Sequence, residues 1–310
     1  MVTGAAGFIG NALARQLHEQ GVDVVAIDDF SSGKNREVAP GVPVIECDAR
    51  DRSALEELLP QSIDALVHCA AQSSGEVSFD DPWDDMTRHL HATMQLLEIS
   101  VARKVRHFVY TSSMAAYGNP SRLPAQETDS LVPLSFYGAG KAGTENYVRI
   151  YCRGAMAYTI LRPFSVYGPG QDLANLRQGM ISIYLAQLLH TGRIVVKGSL
   201  DRFRDFVHID DAVQAYLSVL KRKQCQGSTL NLCSGAPTSV REVLEALLTT
   251  ADADWNAVEV IAGTPGDQFG MYGDNSALRE LANWAPDWTV ELGIGNMWEQ
   301  ATAATRGHGI

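Results

Sequence analysis

Only Met1 to Thr3 stand before the run Gly4-Ala5-Ala6-Gly7-Phe8-Ile9-Gly10. Glycines at this spacing, between an apolar strand stub and a helix-like run over 11–19, leave few folds open. Gly4 permits a tight turn, Gly7 lets the main chain approach a pyrophosphate, and Gly10 lets the helix pack on the strand. The helix N-terminus then favours phosphate charge. A glycine loop alone is weak, but Asp28 closes the next strand-like run, 24–27, at roughly the 20-residue offset a ribose carboxylate needs. A carboxylate there accepts both ribose hydroxyls and repels a 2′-phosphate, so NAD is expected in preference to NADP.

The segments 24–27, 65–68 and 108–111 read as buried parallel strands, and 11–19, 53–59 and 87–102 as the helices between them. Such alternation predicts an α/β, Rossmann-type doubly wound parallel sheet with right-handed crossovers. After Tyr167 the chain is punctuated by Gly168, Pro169 and Gly170, and long helical stretches with short strands follow. This predicts a cofactor domain over 1–166 and a smaller α/β substrate region over 167–310, with some later segments returning to the first. The brevity of the first strand suggests that the natural chain begins earlier.

Among 310 residues, 25 Lys and Arg face 36 Asp and Glu, a formal charge of −11. That balance argues against a nucleic-acid partner. A hydrophobic content of 45% excludes a disordered chain. The apolar runs are too short to span a bilayer and no leader precedes the first motif, so a cytoplasmic protein without a membrane partner is expected. Cys47, Cys69, Cys152, Cys225 and Cys233 are scattered and odd in number, which predicts reduced thiols and no metal site.

Tyr137-Gly138-Ala139-Gly140-Lys141 sets a phenol and an ammonium four apart, on one face of a helix. A phenol near its usual pKa of ~10 is a poor base at neutral pH. A neighbouring ammonium and a cationic nicotinamide both favour phenolate, so Tyr137 becomes a proton acceptor and donor. Lys141 is also expected to bond the nicotinamide ribose. Upstream, a strand-like run enters Thr111-Ser112-Ser113-Met114-Ala115-Ala116-Tyr117-Gly118. Catalytic groups concentrate at such carboxyl ends of parallel strands.

With these residues in place, nearly the whole chain resembles the extended short-chain dehydrogenase/reductases, the NAD-dependent epimerase/dehydratase family. The resemblance implies that Ser113 supplies the catalytic hydroxyl, Ser112 being a turn residue. It places Phe8, Ile9, Asp29 and Ser32 with the glycines and Asp28 around the cofactor, Asp48 and Ala49 at the adenine, and Cys69, Ala70 and Ala71 under the diphosphate. His89 stands where the family usually has Asn and is expected to be structural. Pro163 and Phe164 would wall the nicotinamide. Ser165, at another usual Asn, Arg204 and Asp267 would bind substrate, Arg204 gripping a phosphate through its planar fork. Asp205 and Asp210 read as structural. Thr264 replaces a usual Arg, for which Arg202 could compensate, and Met271 aligns loosely with a position that limits the sugar's N-acyl group.

Met114 and Ala115 occupy positions where family dehydratases carry an Asp-Glu pair, and neither moves a proton. The implied activity is therefore epimerisation of a nucleoside-diphosphate sugar, a UDP-hexose at C4, through a transient 4-keto sugar. The alternatives are a dehydratase or reductase on such a sugar, and an NAD-binding sensor or scaffold. Relatives imply a homodimer built on two helices from each copy, one bearing Tyr137 and Lys141.

Overall fold

The computed structural model describes residues 1–263 and 268–307. Seven strands form one parallel sheet: β1 (Val2–Thr3), β2 (Ala26–Asp28), β3 (Ile45–Glu46), β4 (Ala65–His68), β5 (His107–Thr111), β6 (Ala157–Pro163) and β7 (Ser228–Leu232). Their order is β3-β2-β1-β4-β5-β6-β7. Chain direction across the sheet therefore reverses between β1 and β4, and a crevice opens there at the carboxyl ends. The register sets Thr3 beside Ile27 and His68, so the loops leaving β1, β2 and β4 start side by side.

Helices cover both faces. On one lie α1 (Phe8–Glu19) and, from the later chain, α7 (Ile209–Lys221), packed together over Leu13, Ala14, Ala212, Val213 and Tyr216. On the other lie α2 (Arg52–Leu58), α3 (Pro82–Met86), α4 (Ala92–Ala102) and α5 (Phe136–Cys152), which bury Leu55, Leu96, Leu97, Ile99 and Val148 against the sheet. Each such aliphatic side chain contributes about 1.5–3 kcal/mol on leaving water. Strands buried on both sides read as unbroken apolar runs, which is why β4 and β5 were legible.

Local chemistry sets the ends. Asp51 caps α2 by accepting from Ala54 N at 3.0 Å, and Ser135 caps α5 by accepting from Gly138 N at 3.1 Å. The helix expected over 87–102 begins at residue 82 and is three pieces. Asp81 accepts from Trp83 N and Asp84 N, and Pro82 follows it, so α3 starts early. A π turn, Thr87–His91, then separates α3 from α4.

The later chain adds α6 (Met180–Thr191), α8 (Val240–Thr250) and α10 (Val290–Gly307) around a third core that includes Leu185, Val196, Leu244, Leu247 and Ile294, and α9 (Ser276–Ala282), which buries Leu278 and Ala282 in the core shared by α1 and α7. Short strands join it to the crevice. Ser165–Tyr167 pairs with Phe206–His208, and Phe203–Arg204 with Gly270–Met271. No described helix is long and apolar enough to cross a membrane.

Candidate active site

Every site residue expected from sequence lines one cleft of about 470 Å³ at the β1/β4 crevice, except Asp267, which lies outside the described residues. Gly4 has φ +70°, and a Cβ on it would stand 2.6 Å from Ala70 N. Only glycine lets the β1 loop lie against the Cys69–Ala71 stretch after β4. Gly7 is the N-cap of α1 and offers no side-chain cap, so the first N–H groups of that helix are left for an anion.

Asp28 Oδ2 accepts from Ala6 N at 3.0 Å and Oδ1 from Phe30 N at 2.8 Å. Burial pushes its carboxyl up, against the pull of those two N–H groups. Each oxygen keeps lone pairs for a diol, so the carboxyl fits an unphosphorylated ribose. Beyond it runs an ionic chain that no motif signalled. Arg88 pairs with Asp29 at 2.9 Å and with Asp84, while Arg50 pairs with Asp48 at 2.7 Å and Asp84 at 2.8 Å. The Arg88 guanidinium, held at Asp29 next along the chain from Asp28, is thus already matched by carboxylates, a poor setting for a 2′-phosphate. These features fit NAD.

At the other end, β5 delivers Ser113 and α5 delivers Tyr137 and Lys141. Ser113 Oγ caps the turn Met114–Ala116 by accepting from Ala115 N at 3.1 Å, and it hydrogen-bonds the Tyr137 phenol. Lys141 Nζ donates to Thr111 O at 2.7 Å and lies 5.9 Å from the Tyr137 ring centroid. Burial pushes the phenol up, and Ser113 is the partner that opposes it. Burial also brings Lys141 down to about 8.

Ser112 Oγ donates to Glu145 Oε1 at 2.6 Å, a bond into α5 in place of the turn contact expected. Glu145 pairs in turn with Arg162 at 2.7 Å and Arg149 at 2.7 Å, and Arg162 Nη1 donates to Tyr117 Oη at 2.7 Å. This buried network holds the inner face of α5 to β6. Nothing in the sequence signalled it, since its members lie up to 50 residues apart (residues 112 to 162).

On the substrate side, Pro163, Phe164, Ser165 and Arg204 line the cleft. The Arg204 guanidinium donates to the carbonyls of Phe203 at 2.7 Å and Gln268 at 3.0 Å, which fixes its fork. Asp205 accepts from Ser234 N and Oγ, Gly235 N and Gly273 N, the structural role expected. Burial outweighs these donors and raises its carboxyl to about 6. Asp210 lies 3.6 Å from His208 at the start of α7. Arg202 donates to the carbonyls of Ser199 and Lys197. Met271 is buried, outside the cleft lining. The five cysteines are unpaired, and no group of described residues could hold a metal ion.

The chain is similar over nearly its whole length to UDP-glucose 4-epimerases and to dehydratases that act on nucleotide-linked sugars. A UDP-glucose 4-epimerase of Mycolicibacterium smegmatis is 32% identical, covering 96% of this chain and 97% of its own. The structure of Thermotoga maritima UDP-glucose 4-epimerase with UDP-glucose superposes with a TM-score of 0.92 at 29% identity, covering 98% of each chain. That of a Streptomyces venezuelae dTDP-glucose 4,6-dehydratase with NAD bound gives 0.88 at 27%, covering 99% and 97%. The model of the NAD dependent epimerase/dehydratase family matches residues 1–233, the stretch that carries the glycine loop, Asp28, Ser113, Tyr137, Lys141 and Arg204. This chain belongs to the NAD-dependent epimerase/dehydratase family.

Proposed function

We propose that the protein epimerises a UDP-hexose at C4. The observation that carries the reading is the convergence of Ser113, Tyr137 and Lys141 on one cleft wall whose next residues, Met114 and Ala115, cannot exchange protons. NAD, when bound, supplies the acceptor and donor of hydride. Tyr137 takes the proton of the sugar 4-hydroxyl and Ser113 steadies that oxygen and relays the proton. The resulting 4-keto sugar turns about its diphosphate to present the other face of C4, and the same pair returns the proton to the C4 oxygen. Arg204 and Ser165 hold the nucleotide-linked phosphates and the sugar, with Asp267 on the nucleotide ribose. Pro163 and Phe164 keep water from the reacting carbon.

Around the cofactor, Gly4, Gly7, Phe8, Ile9 and Gly10 cradle the diphosphate with Cys69, Ala70 and Ala71. Asp28, Asp29 and Ser32 take the adenosine ribose, Asp48 and Ala49 the adenine, and Lys141 the nicotinamide ribose. Residues 1–166 form the cofactor half, with β7 and α7 returning to it, and 167–310 mainly the substrate half. The protein acts in the cytoplasm as a homodimer paired through the outer face of α5.

The test is a panel of UDP-, dTDP- and GDP-sugars with products resolved by NMR. C4-inverted sugar without accumulating NADH is expected, and Tyr137→Phe should lower kcat by about 10²–10⁴-fold. A dehydrated product would transfer the assignment to the dehydratases. Unchanged function in the Phe variant would favour a sensor.

A further inference from the structure

Behind the Tyr137 ring lies a buried pair that the scheme above does not use. Asp85, on α3, is 2% exposed, and His89, in the π turn, is 1% exposed. Neither carboxyl oxygen of Asp85 and neither ring nitrogen of His89 has a hydrogen-bond partner in the described protein. The two approach one another to 3.6 Å, Nε2 to Oδ1. Leaving such groups unmatched is costly, of order 1–3 kcal/mol each, and unmatched polar groups and π turns both gather at functional sites.

The geometry directs the pair at Tyr137. The His89 ring packs on the Tyr137 ring, centroids 5.4 Å apart and tilted by 59°. α5 makes room for it with Gly140, between Tyr137 and Lys141: a Cβ there would lie 2.9 Å from His89 Cδ2. Thr93 Oγ1 donates to His89 O at 2.6 Å, fixing the turn that carries the ring.

We propose that Asp85 and His89 are positioning residues for Tyr137: the imidazole fixes the phenol ring, and the carboxylate behind it tempers the ammonium of Lys141, so that Tyr137 gives its proton back as readily as it takes it. An epimerase needs both directions, since one phenol acts as base and then as acid in each turnover. The proposal rests on that reading of the reaction.

Other groups surround Tyr137, Lys141 and the pair: Tyr110 from β5 and Ser113 just after it, Lys141 and Glu145 from α5, His68 from β4 and Tyr216 from α7. His68 bonds Thr3 and Thr93, and burial holds it down at about 3, so it carries no charge near neutrality. Burial lowers His89 also. The negative charge of Asp85 works against a Tyr137 phenolate and in favour of the Lys141 ammonium.

Tyrosine labelled with ¹³C at Cζ, in the holoenzyme, reads the Tyr137 titration directly, the resonance being identified by its loss in Tyr137→Phe. Asp85→Asn should bring the midpoint down by about one pH unit, and the acid limb of the kcat/KM profile should follow. Gly140→Ala, which displaces the imidazole without removing a charge, should lower kcat at least tenfold with little change in KM, and should also move the midpoint. It decides the matter if Asp85→Asn does not fold. Midpoints within 0.3 unit of the wild type, a bound chosen to exceed titration error and far below the roughly one-unit effect of a nearby charge, would overturn the proposal. The NMR midpoint is independent of turnover, so a protein without epimerase activity would refute the assigned reaction while the titration still judged the pair.

Discussion

Lys141 carries a consequence measurable without substrate. Its ammonium is 3% exposed, and burial takes its pKa from 10.5 to about 8. Between those values the folded protein holds fewer protons than the unfolded chain, so stability rises with pH across that window. Below pH 8 the full penalty stands, about 3 kcal/mol, offset in part by the bond to Thr111 O at 2.7 Å, about 1 kcal/mol. A Lys141→Met variant has no such group. The difference in unfolding temperature between the two proteins should therefore favour Met most at neutral pH and shrink from pH 8 to 10.5. A difference flat across that range would show that the ammonium is not desolvated as the geometry has it. At this scale the sequence was informative where spacing alone fixes geometry. Tyr137 and Lys141 share a helix face whatever the rest of the fold does, and Ser113 ends a strand. Asp85 and His89 were not legible as a pair, because the helix was expected to begin at residue 87, which leaves Asp85 outside it, and because their burial is set by packing on α5.

Elements meet across the cleft in a way no single segment signals. The loop 168–179, recognisable only as Gly-Pro-Gly punctuation, crosses the crevice and is tied at both sides. Asp172 pairs with Lys34, after β2, at 2.6 Å. Arg177 pairs with Asp80 at 2.8 Å and Glu76 at 2.9 Å, after β4. Gln178 Nε2 donates to Ser73 O at 3.0 Å, and Gln171 and Gln178 line the cleft between these ties. Exposed pairs of this sort contribute at most about 1 kcal/mol each and weaken with salt. Together they are enough to slow escape of a bound dinucleotide. Arg177→Gln combined with Asp172→Asn should speed NAD release about five- to tenfold, read as fluorescence change on dilution, and should abolish most of its salt dependence. Equal release rates in the variant and the wild type would leave the loop without a retaining role. The contacts were illegible because each joins charges 97 or more residues apart on loops whose sequence has no period.

For the whole molecule, the alternation of strand-like and helical runs was enough to foresee a doubly wound sheet. Residues 228–232 join that sheet as β7, a placement no sequence pattern marks, since a five-residue strand declares its neighbours only through packing. That placement matters for assembly. Glu145, Arg149 and Arg162 fasten the inner face of α5 to β6 and to Thr229 of β7. The opposite face carries Phe136, Tyr147 and Ile150, 46%, 41% and 67% exposed, at steps of 11 and 3 residues that keep them on one helical stripe. Covering each contributes about 1.5–3 kcal/mol per copy, enough to pair two chains at micromolar concentration. Sedimentation equilibrium should therefore give twice the 33.6 kDa of one chain. Tyr147→Glu with Ile150→Glu should give the single mass, because pairing would bury like charges against each other. The inner anchors are untouched by these changes, so the separated chain should keep its fold and its NAD. A wild-type chain sedimenting as a monomer at micromolar concentration would mean that the stripe is merely surface, and that α5 is held for catalysis by its buried ion pairs alone.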